Sequence, residues 1–165
     1  MKPLLAFACL LTACRGHAPD DPTTPADYSA VPAPYLVLAQ KAITYQADDQ
    51  LDDWAQLLAD DVEYQGTDTA RLTGKVAVLA YWQHCRDTSR IRQVRLSGFS
   101  MLPVQTGLKL PLANLPGVYV AAVFRRRVTY LSGRTHEQPV CLWLHFNDEK
   151  LIDRLYSFQT DRAPP

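Results

Sequence analysis

Apolar residues recur at helical spacing through the first half of the chain and at every second position through the second half. Leu51, Trp54, Ala55 and Leu58 fall at i, i+3, i+4 and i+7, which predicts an amphipathic helix over residues 50–59. Asp49 stands where it would cap that helix, and Asp52 and Asp53 in the first turn complement the positive helix end. Val62, Glu63, Tyr64 and Gln65 run into Gly66 as a strand would. Upstream, Leu36, Ala39, Ala42, Ile43 and Tyr45 predict a helix from about Pro34, a favourable first helical residue, to about Ala47. Downstream, Thr69 to Leu72 predicts a short strand, and Thr73 is placed to cap a helix over about residues 74–87. That helix carries Val76, Leu79, Ala80 and Gln83 on one side and Ala77 and Tyr81 on the next, so it is expected to be covered on both.

From Ile91 the period changes to two. Strands are predicted at 91–106, 117–131, 135–147 and 150–160, with a loop at 107–116 and hairpin turns at Ser132-Gly133 and Asn147-Asp148. Pro103 predicts a bulge or a strand end. These strands exceed the usual ~5–6 residues, so the sheet must bend and bulge. Three helices followed by a meander predict an α+β cone, its helices packed in a strongly curved, mostly antiparallel sheet. Val140, Leu142, Leu144 and Phe146 form one apolar strand face, which should meet the helices; Cys141, Trp143 and His145 form the other. The next strand allows two inward sets: Ile152, Tyr156 and Phe158 with Arg154, or Leu151, Leu155 and Ser157 with Asp153. Apolar weight favours the first, turning Asp153 outward. Trp143, Leu151 and Leu155 then make an apolar outer patch, which predicts a homodimer through that face.

Composition adds class and compartment. The 165 residues are 47% hydrophobic with formal charge +0, enough for one domain with a real core. Balanced charge argues against nucleic acid, which usually needs a basic face. Residues 1–13 read as a signal peptide: Lys2, then an apolar run from Leu4 to Leu11 too short to span a bilayer. Leu11-Thr12-Ala13-Cys14 resembles the lipobox of bacterial lipoproteins. That resemblance implies cleavage before Cys14, lipid on Cys14, and anchorage to a membrane of the bacterial envelope, on the periplasmic or outer-membrane side. Residues 14–34, broken by Pro19, Pro22, Pro25, Pro32 and Pro34, predict a tether. Extended at ~3.1 Å per residue, it holds the domain on the order of 60 Å from the membrane. The folded domain is expected over 35–160, with a tail at 161–165.

Candidate chemistry is thin. No Ser-His-Asp spacing, phosphate loop or dinucleotide glycine motif occurs, and no cofactor is implied. The acids around Asp49, Asp52 and Asp53 lack the glycine and terminal glutamate of a calcium loop, so they read as helix caps. A zinc site from His84, Cys85, Cys141 and His145 fails on geometry: four strand residues separate two of its ligands by ~13 Å. The envelope permits a Cys85–Cys141 disulfide, but two small buried residues is the simpler reading. Arg125-Arg126-Arg127 looks like an anion patch, but it splits across a strand and so neutralises few phosphates together: Arg125 and Arg127 fall on one face as solvated residues and Arg126 on the other as a paired or rim arginine. His145 falls on the outer side of the sheet, away from any cavity. Tyr45, Tyr64, Tyr81 and Trp82 suit a core and a cavity wall equally, and Leu142, Leu144 and Tyr156 complete the pocket candidates.

The run Asp49, Trp54, Leu57, Leu58, Ala59, Asp60, Asp61, Val62 and Tyr64, followed by Leu72, Gly74, Val78, Tyr81, Trp82, Gly117 and Val120, resembles the nuclear transport factor two-like (NTF2-like) superfamily. The FNDEKLIDRLYSF ending resembles that superfamily's last hairpin. The superfamily includes SnoaL-like polyketide cyclases and ketosteroid isomerases. The resemblance implies a cone with a ligand cavity and pairing of sheets between copies. In the isomerases a catalytic aspartate follows the acid pair matched by Asp60-Asp61; here Gln65 or Gly66 falls there, and Asp68 is near but off register. The expectation is therefore a lipid-anchored envelope domain that binds a small apolar ligand or a protein partner without turnover. The alternative is a SnoaL-like lyase or isomerase, with Asp61, Asp68 and Tyr64 as its candidate residues.

Overall fold

The computed structural model describes residues 32–67, 71–106 and 115–159. Cys14, the tether as far as Val31, Asp68, most of the 107–116 loop and the tail lie outside the described residues. The elements are α1 (Ala33–Asp48), α2 (Leu51–Ala55), β1 (Leu58–Gly66), β2 (Leu72–Thr73), α3 (Lys75–Thr88), β3 (Ile91–Thr106), β4 (Gly117–Tyr130), β5 (Thr135–Phe146) and β6 (Ile152–Gln159). The strands form one curved, unclosed sheet in the order β2-β1-β6-β5-β4-β3. Only β1 and β6 run parallel; every other pairing is antiparallel. α1 lies across β3 and β4, and α3 lies against β1. This is the α+β architecture that the change of period predicts.

Turn chemistry sets the meander. Gly133 takes φ 84 between β4 and β5, and Tyr130 N–H closes that turn on Arg134 O at 2.9 Å. Between β5 and β6, Asn147 Oδ1 accepts from the N–H groups of Glu149 and Leu151, at 3.0 and 2.9 Å. β3 bulges between Ser97 and Ser100, where Gly98 has φ 64, and not at Pro103. Pro103 pairs with Val120 on an edge strand, where its missing donor costs no ladder bond.

Four expectations are corrected. The predicted 50–59 helix stops at Ala55, because Leu58 is already strand, pairing beside Ile152 with its side chain in the core. Leu57 O accepts Ile152 N–H at 2.8 Å, so sheet pairing outweighs the helical spacing. Asp49 does not cap α2; it ends α1 in the left-handed conformation, φ 64, and pairs with Arg86. Thr73 does not cap α3; Gly74 starts it, with φ 93. Nor is α3 covered on both sides: Val78, Tyr81, Trp82 and Cys85 face inward at i, i+3, i+4 and i+7, while Val76 is 82% exposed.

The most consequential correction lies on β6. His145 pairs with Arg154 but Phe146 pairs with Ile152, so Asp153 is an extra residue. The bulge reverses the alternation after Ile152. Leu155 and Ser157 therefore turn inward beside Leu144 and Leu142, while Tyr156 and Phe158 share the outer face with Trp143 and Cys141. Leu155, expected outside, is core; Tyr156 and Phe158, expected inside, are not. Asp153 does turn outward, to His145.

Candidate functional site

The concave face of the sheet and the two longer helices enclose a cavity of about 320 Å³. Its floor comes from β4 and β5, through Phe124, Arg126, Val128, Val140 and Leu142. Its aromatic wall is Tyr64 from β1 with Tyr81 and Trp82 from α3. Their ring centroids stand 5.7 to 5.8 Å apart in all three pairings, and Trp54 packs edge-on against Trp82 at 6.0 Å. The wall exists because consecutive α3 residues Tyr81 and Trp82 both reach the inner face of β1. Asp49, Arg86 and Ser89, where α1 and α3 end, also line the cavity, and Asp49 and Ser89 are exposed. There Arg86 Nε sits 3.2 Å from Asp49 Oδ2, and Arg86 Nη1 donates to Ala47 O at 3.0 Å. One side chain thus ties the two helix ends together.

Arg126 is the polar feature that sequence reasoning missed as a site residue. It occupies the inward phase of β4, between Phe124 and Val128, where burial lowers its pKa from the ordinary arginine value. The groups that oppose that lowering are Tyr64, Tyr130 and Tyr81. The signal was available: Arg126 is the middle residue of the triple arginine and shares its phase with Phe124 and Val128. Burial also pushes Tyr64 up to about 12, helped by Tyr81 and opposed by a hydrogen bond with Ser157, so its phenol stays protonated at neutral pH. Trp82 Nε1 is buried and has no hydrogen-bond partner among the described residues.

Of the pocket candidates, Tyr64, Tyr81, Trp82 and Leu142 line the cavity. Tyr45 packs against the core without lining the cavity, Leu144 is core and does not line it, and Tyr156 is on the opposite face. Of the catalytic candidates, Asp61 is exposed and stands apart from Tyr64, which does face the cavity. Gly66, not a carboxylate, lines the wall where the isomerase resemblance puts its aspartate. Asp49 is the one carboxylate among the described lining residues. Cys85 lines the cavity while Cys141 lies beyond the sheet, both as free thiols.

The other face carries a second polar group. His145 is 4% exposed, its Nδ1 donating to Asp153 Oδ1 at 2.5 Å and its Nε2 lying 3.3 Å from Pro116 O. The Tyr119 ring lies tilted beside it, centroids 4.5 Å apart, and its hydroxyl donates to Leu115 O at 2.7 Å. Gly117 is required there: a Cβ would stand 2.4 Å from His145 Nε2. The cluster fixes the approach to β4 and does not reach the cavity.

Three-dimensional comparison places this arrangement among known folds. A candidate polyketide cyclase from Xanthomonas campestris pv. campestris matches with TM-score 0.61 and 19% identity, over 75% of this chain and 88% of its own. AusH from Aspergillus nidulans matches with TM-score 0.63 and 13% identity, over 83% and 90%. An NTF2-like protein of unknown function from Burkholderia pseudomallei matches with TM-score 0.58 and 17% identity, over 74% and 88%. The fold is NTF2-like. No sequence-family model matches the chain, and no curated protein matches it in sequence. At 13–19% identity the similarity is one of fold.

Proposed function

We propose that this NTF2-like domain binds a small, largely apolar molecule in its cavity without turning it over, and is displayed from the bacterial envelope by lipid on Cys14. The composition of the cavity wall carries the reading. Aromatic and aliphatic side chains make most of the lining, and its one described carboxylate, Asp49, is already paired with Arg86. Proton transfer at carbon needs a base held against the ligand. Tyr64 holds its own proton and Asp61 is exposed, so the described wall supplies a donor and no base. A lyase or isomerase would have to draw its base from Asp68. The test is a turnover screen with ketosteroid and polyketide-like substrates, run beside Asp61→Asn and Asp68→Asn. No turnover is expected; activity that either substitution abolishes in folded protein overturns the binding reading. The anchor rests on the lipobox resemblance and is tested by mass spectrometry. Lipid on Cys14, lost in Cys14→Ser, is expected, and an unlipidated mature chain starting elsewhere refutes it.

We also infer that a second copy covers the convex face of the sheet. Leu102, Val123 and Phe158 are exposed there around half-buried Trp143 and Tyr156, on four adjacent strands. A contiguous apolar patch of that kind usually marks an interface.

A further inference from the structure

Building on the cavity-binding reading, we propose that the ligand is a carboxylate on a small ring system, anchored by Arg126. The charge balance of the lining points to an anion. Arg86 and Arg126 against Asp49 give one net positive charge (2 − 1) among the described lining residues. Arg126 is the deeper cation. A guanidinium does not deprotonate in a protein, so Arg126, half-buried with its Nε shielded from solvent, keeps its charge at a desolvation cost. Its neighbours in the cavity include Tyr64, Tyr81 and Tyr130.

The donors fit the same chemistry. Trp82 Nε1 can only donate, is buried, and has no partner among the described residues. Arg126 brings a planar fork that matches the two oxygens of a carboxylate. A phosphate monoester carries close to two charges and would meet too little positive charge here. Around these donors the wall is apolar: Ile43, Val94, Leu96 and Leu142, with the rings of Tyr64, Tyr81 and Trp82 mutually packed. Aromatic walls packed edge-on and tilted favour a ring over a flexible chain. At about 320 Å³ the cavity lies at the low end of small-molecule pockets, which fits a compact body.

Calorimetric titration of the full chain with naphthalene-2-carboxylate and with its neutral methyl ester tests the proposal. The carboxylate is expected to bind about tenfold or more tighter than the ester, the size of a charge-assisted pair. Arg126→Met should reduce carboxylate affinity to within about twofold of the ester and leave ester binding in place. Arg126→Lys, which keeps the charge but not the fork, should retain part of the preference, and it decides the matter if Arg126→Met does not fold. Equal binding of both probes to the native protein overturns the carboxylate anchor and leaves the cavity reading standing. A preference that survives in folded Arg126→Met shifts the anchor to Arg86 and overturns the role of Arg126. No binding of either probe at millimolar concentration overturns this proposal and the cavity reading together.

Discussion

The two faces of β4 hold the same residue type in opposite circumstances. Outward, Arg125 and Arg127 share Glu137: Arg127 Nε donates to Glu137 Oε2 at 2.7 Å, and Arg125 Nη1 lies 3.5 Å from Oε1. These groups are well exposed, and the arginines, Arg127 foremost, hold the Glu137 carboxyl below the usual range. Inward, Arg126 lies under the helices among tyrosines, and burial works against its charge. One position along a strand thus separates a water-screened ion cluster from a cation held in an apolar cavity. Exposed pairs contribute little to stability because solvent does most of their work. A half-buried cation set among apolar side chains is a cost to the fold, which makes Arg126 a better pointer to function than either neighbour.

The difference between faces should be largest in packing. Phe124 and Val123 are consecutive, but Phe124 is 3% exposed and stacks on Phe99 at 5.1 Å, whereas Val123 is 47% exposed. Phe124→Ala is expected to cost about 3 kcal/mol in chemical denaturation, the lower end for a buried aromatic because the adjoining cavity is already open. Val123→Ala should stay within about 0.5 kcal/mol. Similar losses for both would show that the concave face is not the core of this domain.

Alkaline titration gives the next effect. The ordinary phenol pKa is near 10, and burial raises that of Tyr64 to about 12. The folded state therefore holds the proton more tightly than the unfolded chain. The stabilisation is fully present below about pH 10 and is lost as pH rises towards about 12, by at most about 2.7 kcal/mol for this group. Tyr119 on the other face is also pushed up to about 12 by burial, so both faces should contribute to the alkaline loss. Tyr64→Phe is expected to remove the concave share and leave the rest. An alkaline unfolding curve unchanged by Tyr64→Phe would mean that this phenol ionises in the folded protein as it does in water.

How far the sequence carried these conclusions depended on range. The long strands, both hairpin turns and the inward face of β5 follow from local alternation and turn residues, and all are present. What failed was set by partners distant in the chain. Leu58 has helical spacing from Leu51, but pairing beside Ile152 makes it strand. Local alternation points the wrong face of β6 inward, because one extra residue, Asp153, held by His145, reverses the alternation, and nothing in the local pattern marks it. That slip put Tyr156 in the cavity and Leu155 on the surface. Arg126 is different: its phase is readable, but an arginine between apolar neighbours reads as a paired or rim residue.

The convex face gives the smallest effect on folding and the sharpest test of pairing. With the β6 correction, the apolar residues there are Leu102, Val123, Trp143, Tyr156 and Phe158, in place of a patch built on Leu151 and Leu155. Leu102 is 63% exposed, so Leu102→Glu removes little packing within one copy and should change its stability by no more than about 0.5 kcal/mol. In a face-to-face pair, the same carboxylate would be desolvated among Trp143, Ala121 and a partner surface. A buried unpaired charge of that kind is strongly unfavourable, so the pair should dissociate. Sedimentation at micromolar concentration is expected to show a dimer for the native protein and a folded monomer for Leu102→Glu. A native protein that sediments as a monomer refutes the pairing. A Leu102→Glu variant that remains dimeric refutes the face, because association would then run through a surface that this substitution does not touch.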